Sequence, residues 1–228
     1  MDRRKLGAVA GIVGSVGFVA IFTIEGWLRP GYDAQRMFVS ELALGPRGFV
    51  QILSFVACGF ATILFARGMR AEFPAAPVAT RLLDVVGVGL IGAGLFVMDP
   101  LMTPLGSMSW HGLLHGVFGD AFVYCASIAC FLFARHFREA SRWRSLAGYT
   151  LGTGVVTVVI LAVGRIVLVV DLMRGVLPPW GGILQRIHHI LYFIWQTIVA
   201  ARLAGAGEPV AASAARGDER LPVSSDGR

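Results

Sequence analysis

Charge is what this sequence has least of. Only 15% of its 228 residues are Asp, Glu, Lys or Arg, while 56% are hydrophobic; a soluble domain carries roughly 25% charged residues. Mean hydropathy is +0.70, more than a soluble fold of this size can hide, because much of a small globule's surface must be polar. A soluble enzyme, a nucleic-acid-binding domain and a disordered chain are thereby excluded. Lysine is nearly missing: of twenty basic residues only Lys5 is one, and with the abundant Ala, Gly and Val this bias suggests a high-GC bacterial genome. Cysteine is scarce. Cys58, Cys125 and Cys130 sit inside apolar runs, an odd count with no CxxC spacing, which argues against a disulfide framework or a thiolate metal site. Also missing are a phosphate loop, a dinucleotide fingerprint and a haem-attachment motif, so soluble cofactors and nucleic acid have no support.

What is present is apolar sequence in long runs. A bilayer core of about 30 Å takes about 20 apolar residues in a helix. Six stretches qualify, at about residues 6–28, 48–66, 82–98, 109–134, 145–168 and 183–202. The first follows Arg3-Arg4-Lys5, as a signal peptide would. Its uncharged run outlasts an h-region of about 7–15 residues, and no small-residue cleavage pattern follows, so a retained first helix is predicted. Fourteen of the twenty basic residues fall on one side: residues 1–5, two of the loops and the tail. By the positive-inside rule both termini are cytoplasmic. The predicted fold is all-α, an integral bundle of six transmembrane helices in the cell (plasma) membrane of a bacterium, spanning residues 6–203. Residues 204–228, rich in Ala, Gly, Ser and Pro with scattered charges, are expected to form a disordered cytoplasmic tail. The glycines at 7, 11 and 14, and those at 87, 89, 92 and 94, read as close helix packing.

With sides assigned, the polar residues gather on the outer one. The first outer loop brings Tyr32, Asp33, Ser40 and Glu41; the third span ends at Asp99-Pro100; the fourth begins with Trp110, His111 and His115; the fifth ends at Arg165 and Asp171; the sixth begins with Gln185, Arg186, His188 and His189. His111 and His115 are four apart and share a helix face, the spacing of two-histidine metal sites. The Glu that usually follows the first histidine is replaced by Gly112; the other reading is hydrogen bonding to neighbouring helices. Gln185, His189, Tyr192 and Gln196 fall within about 60° of helix arc, a stripe that must face protein or water rather than lipid. Asp120, roughly 16 Å into the fourth span, is either functional, paired with Arg165, or buried and protonated. Arg165 and Arg186 are expected to bind carboxylates among Glu41, Asp99 and Asp171, clamping the first outer loop to the bundle; the alternative is a phosphate-headgroup site.

Two functions from different classes follow. One is a non-enzymatic membrane protein whose outer polar cluster is mainly structural. The other is a metal-dependent intramembrane hydrolase of a lipid or lipid-linked substrate. In that reading zinc sits on His111 and His115, and Ser40, Glu41, Asp99 or Asp120 are catalytic candidates. Arg165, Gln185, Arg186 and His189 then serve binding. Membrane lipids are the expected partners, with a lipid-like ligand as the expected small molecule.

Tyr32-Asp33 followed by Val39-Ser40-Glu41-Leu42-Ala43-Leu44-Gly45 resembles the Ser-Glu-Leu signature after the first helix of the domain-of-unknown-function 998 family. Met98-Asp99-Pro100 is similar to that family's aspartate-proline, and His111-Gly112 to its histidine-glycine. Gly182 to Arg202, with Gln185-Arg186 and Trp195, resembles its last helix. The resemblance covers about residues 6–203. It implies a bacterial or archaeal multi-pass membrane protein with no assigned activity, and one recurring constellation of Ser40, Glu41, Asp99, His111 and Arg186. The pair His188-His189 departs from the pattern. In residue types alone the set also resembles the Ser/Asp/His centres of intramembrane zinc hydrolases such as alkaline ceramidases.

Overall fold

The computed structural model describes residues 2–176 and 178–205. Six long helices carry the fold: α1 (Arg3–Leu28), α2 (Gly48–Glu72), α3 (Pro77–Leu95), α4 (Trp110–Glu139), α5 (Arg144–Met173) and α6 (Gly181–Ala204), with short 3-10 helices at Val39–Leu44 and Leu105–Ser107. Each end has a local cause. Asp2 caps α1 by accepting from the Arg4 amide, Pro77 opens α3 in its first turn, and the Ser109 hydroxyl caps α4 by accepting from Gly112 N at 3.1 Å. Proline suits that position because its missing N–H is an orphan there in any case. Because of Pro77, α3 starts five residues before the expected 82 and stops at Leu95, where an extended segment leads to Asp99-Pro100. The predicted tail beyond residue 205 lies outside the described residues.

Successive helices run antiparallel and pack in sequence, and α6 returns to lie against α1, so the six form a closed ring. Glycine sets the spacing where backbones come close. A Cβ on Gly7 would stand 2.8 Å from the Leu64 carbonyl, and one on Gly89 would stand 2.7 Å from that of Phe118. Inside the ring, Phe18, Phe22, Phe55, Phe122 and Phe193 fill one half. Phe73, Phe133, Phe137 and Trp143 fill the other. We call the end holding Arg3 proximal and the end where α1 finishes and α6 starts distal.

Five of the six long helices, α1 to α5, are long and apolar enough to cross a membrane. α6 falls short on hydropathy because of the residues the sequence singles out: Gln185, Arg186, His188, His189 and Gln196. Three of these, with Tyr192, are the reason it packs where it does. His188, His189, Tyr192 and Gln196 are all at most 3% exposed, turned into the ring.

Candidate functional site

The distal end is organised around the loop between α1 and α2. The Tyr32 hydroxyl donates to the Phe38 carbonyl at 2.8 Å and accepts from Arg186. Its ring lies between two cations, with the guanidinium carbons of Arg29 and Arg186 at 5.6 and 5.2 Å from the centroid, in range for cation–π attraction. Burial raises the Tyr32 phenol above its ordinary value, against the lowering effect of Arg186, so the hydroxyl keeps its proton and stays a donor. Arg186 also donates to the carbonyls of Ala34 and Met37, both at 2.8 Å, and to Gly182 one turn back at 3.2 Å. Gln185 accepts from Val39 N at 2.7 Å, and Ile183 N donates to the Gln35 carbonyl at 3.0 Å. Gly182 completes the seam: a Cβ there would collide with the Met37 carbonyl and stand 2.7 Å from that of Ala34.

The expected Arg–carboxylate clamp between α6 and this loop takes another form. Arg186 holds the loop through backbone carbonyls and a phenol. The Glu41 carboxylate instead turns back on its own 3-10 helix and accepts from Phe38 N at 2.7 Å, while Arg29 takes the Glu41 backbone carbonyl. Burial pushes the Glu41 carboxyl above the usual range, opposed by the Phe38 N–H and by Arg29 and Arg186. Ser40 is buried beside it in the same 3-10 helix. A bidentate clamp does exist nearby, between residues the sequence reading passed over. Both guanidinium arms of Arg47 bind Glu25 at 2.6 and 2.9 Å, fastening the start of α2 to the end of α1.

Asp99 belongs to a separate arrangement. Its carboxylate accepts from Ser109 N at 2.8 Å and lies where a side chain on residue 112 would have to be. A carboxylate over the first turn of a helix satisfies orphan amides and complements the dipole, which explains Gly112 after His111. His115 ties α4 to the end of α3, its Nδ1 at 2.9 and 2.8 Å from the carbonyls of Ala93 and Phe96. His111 points elsewhere: it is exposed, with its ring 3.6 Å from that of Trp110. The two imidazoles are not brought together with a third ligand. Among the described residues, no group of three or more His, Cys, Asp or Glu is placed to hold an ion, so the donor set does not fit zinc.

The stripe on α6 faces the ring interior. Tyr192 donates to Gln196 at 3.1 Å, and Gln196 donates to Thr62 of α2 at 3.3 Å. His189 sits between Phe18 and Phe122, with ring centroids 6.3 and 5.0 Å away. Its Nδ1 is 3.4 Å from that of His188. Among the described residues, His188 Nε2, Ser54 Oγ and both polar atoms of Gln51 are buried with no hydrogen-bond partner. Next toward the proximal end comes an apolar layer of Phe65, Val199, Ala200 and Met69, which separates this column from the buried Glu72 beyond it. The polar column is therefore blind at that end. Asp120 pairs with Arg165, one of the sequence's alternatives, and both side chains remain half-exposed on the outside of the ring. Surface clefts of about 520 and 540 Å³ open at the proximal end, away from all of these groups.

The sequence profile of a family described as "Protein of unknown function (DUF998)" matches residues 12–202. No curated protein and no solved structure matches the chain.

Proposed function

From the premise that the chain belongs to the DUF998 family, we propose that it is a non-enzymatic plasma-membrane protein crossing the bilayer six times. Both termini are cytoplasmic, and the outer polar cluster is a latch that closes the ring of helices. The proximal arginines support the orientation. The five apolar helices support the setting, and α6 is the sixth span because its polar face meets protein rather than lipid. One observation carries the latch: Arg186 is engaged by three carbonyls and the Tyr32 hydroxyl, which commits its guanidinium to the loop and to its own helix. Asp99 and His115 are likewise occupied by helix ends, and among the described residues no ion site is assembled that would favour the hydrolytic alternative.

The test combines topology with the latch. Reporter fusions after residue 203 should signal from the cytoplasm, and fusions after residue 103 from outside. The reverse pattern, or cytoplasmic signal from both, would refute the six-span orientation. Arg186→Lys keeps the charge and loses the planar fork. It should lower the unfolding midpoint in detergent, in keeping with a loss of about 2 kcal/mol for broken charge-assisted hydrogen bonds. An unaltered midpoint would remove the latch.

A further inference from the structure

α4 and α5 touch tightly in their proximal halves and part in their distal halves. A Cβ on Gly154 of α5 would stand 3.2 Å from Cys130 of α4, and Ser127 donates to Thr157 at 3.0 Å. Beyond Thr157 no residue of α5 is buried as far as Met173. The faces that meet at Ser127 and Thr157 continue outward, by helical repeat, to Asp120 and Gly116 on α4 and to Gly164 on α5. Cβ atoms built on Gly116, Gly119 and Gly164 meet nothing within 4 Å. The helices thus enclose a wedge, bridged at its mouth by Asp120 and Arg165, with the Arg165 guanidinium carbon 5.9 Å from the Tyr124 ring centroid. A fixed pair of charges on the lipid-facing side of a bundle is costly without a cover.

The apex of the wedge is polar. Trp195 of α6 donates to Thr150 of α5 at 3.1 Å. Seven residues outward on each helix brings His188 level with Thr157 and on the α5-facing side. His188 is 1% exposed, borders Phe122 of α4 at 6.2 Å, and its Nε2 has no partner. The Nδ1 atoms of His188 and His189 lie 3.4 Å apart, and which of them carries a proton depends on the tautomer. His188 Nε2 is a donor in the tautomer whose Nδ1 is bare and an acceptor in the tautomer whose Nδ1 is protonated.

We propose that this wedge is a binding site, open sideways to the bilayer, for a single-chain amphiphile with a small uncharged head such as a hydroxyl. The head hydrogen-bonds to His188 Nε2 at the apex, and the chain runs outward between the open glycines of α4 and α5. An uncharged head fits because Asp120 and Arg165 already neutralise each other at the mouth, leaving no counter-charge to recruit an ion. One chain fits because the helices converge to contact at Ser127 and Thr157. A helix from a second copy, about 10 Å across, would cover the mouth and leave the apex unfilled. The site rests on the membrane reading above but not on the latch.

The experiment uses the full chain in phosphatidylcholine vesicles with a diazirine-bearing hexadecanol, photolysed and mapped by mass spectrometry. Adducts are expected to concentrate on residues 113–124 of α4 and 158–168 of α5. Unlabelled hexadecanol should compete, and hexadecyl phosphate and hexadecyltrimethylammonium should not. Gly119→Trp, which fills the wedge, should lower labelling about tenfold, as should His188→Phe, the scale of one hydrogen bond. Gly152→Trp, on the open outer face of α5, should leave it unchanged. Labelling spread evenly onto exposed Val13 and Val16 of α1, or indifferent to both Gly119→Trp and His188→Phe, would overturn the site. So would a Gly116→Cys disulfide dimer that blocks labelling, because a second copy would then be the occupant. Topology reporters run on the same protein separate the outcomes: if they hold while labelling disperses, only the site fails.

Discussion

Glu41 shows how a buried carboxyl can be structural and still set a pH dependence. Its folded-state value is raised above 4.5 by burial. Its contribution to stability is therefore complete below the unfolded value and is lost as pH rises through the raised folded one. Glu41→Gln keeps a neutral acceptor for Phe38 N and removes the ionisation. Thermal unfolding in detergent from acid to neutral pH should show wild type losing stability relative to the variant as pH rises; a parallel pair of curves would contradict this. Gly182 makes a simpler case. Ala there puts a methyl against the Met37 carbonyl, and overpacking of this kind costs about 1–3 kcal/mol, readable as a lower midpoint. The sequence singles out Arg186, Gln185 and Glu41; their partners were not legible in it. Apart from the Tyr32 hydroxyl, the partners are backbone carbonyls and amides, which nearly every residue carries, so residue types gave no means of choosing among them.

At the scale of elements, the stripe of Gln185, His189, Tyr192 and Gln196 was readable because helical phase alone puts those side chains on one face. Its contacts with Val39, Phe18 and Thr62 needed the ring order of the helices. The proximal end holds a knot the sequence reading missed. Glu72, fully buried at the end of α2, accepts from Trp143 Nε1 at 2.9 Å and from Arg4 at 3.2 Å, joining three separate parts of the chain. Its signal was faint: one acid at a span boundary looks like any solvated loop charge. Removing one partner of such a group leaves the other buried and unsatisfied. Trp143→Phe should cost about 1–3 kcal/mol, and Glu72→Ala more, since it orphans Trp143 Nε1 and leaves Arg4 with Asp2 alone. Equal midpoints for wild type and Glu72→Ala would show that the knot adds nothing.

At the scale of the whole molecule, helices packed in chain order let each new hairpin find its neighbour as soon as both members exist. The exception is the last contact, where α6 must meet α1 across the full length of the sequence. α6 is also the one long helix whose own hydropathy falls short of the other five, and its Gln, His and Arg residues each oppose residence in hydrocarbon. A chain emerging from the ribosome would therefore hold five helices in the bilayer while the sixth waits for the seat they form between α1 and α5. α6 placed behind an unrelated leader should fail to integrate, and the same segment behind its own first five helices should integrate fully, as read by glycosylation-tag mapping. Full integration in both settings would refute the dependence. Assembly of this protein then has an order: the ring is a mould, and its most polar member is cast last.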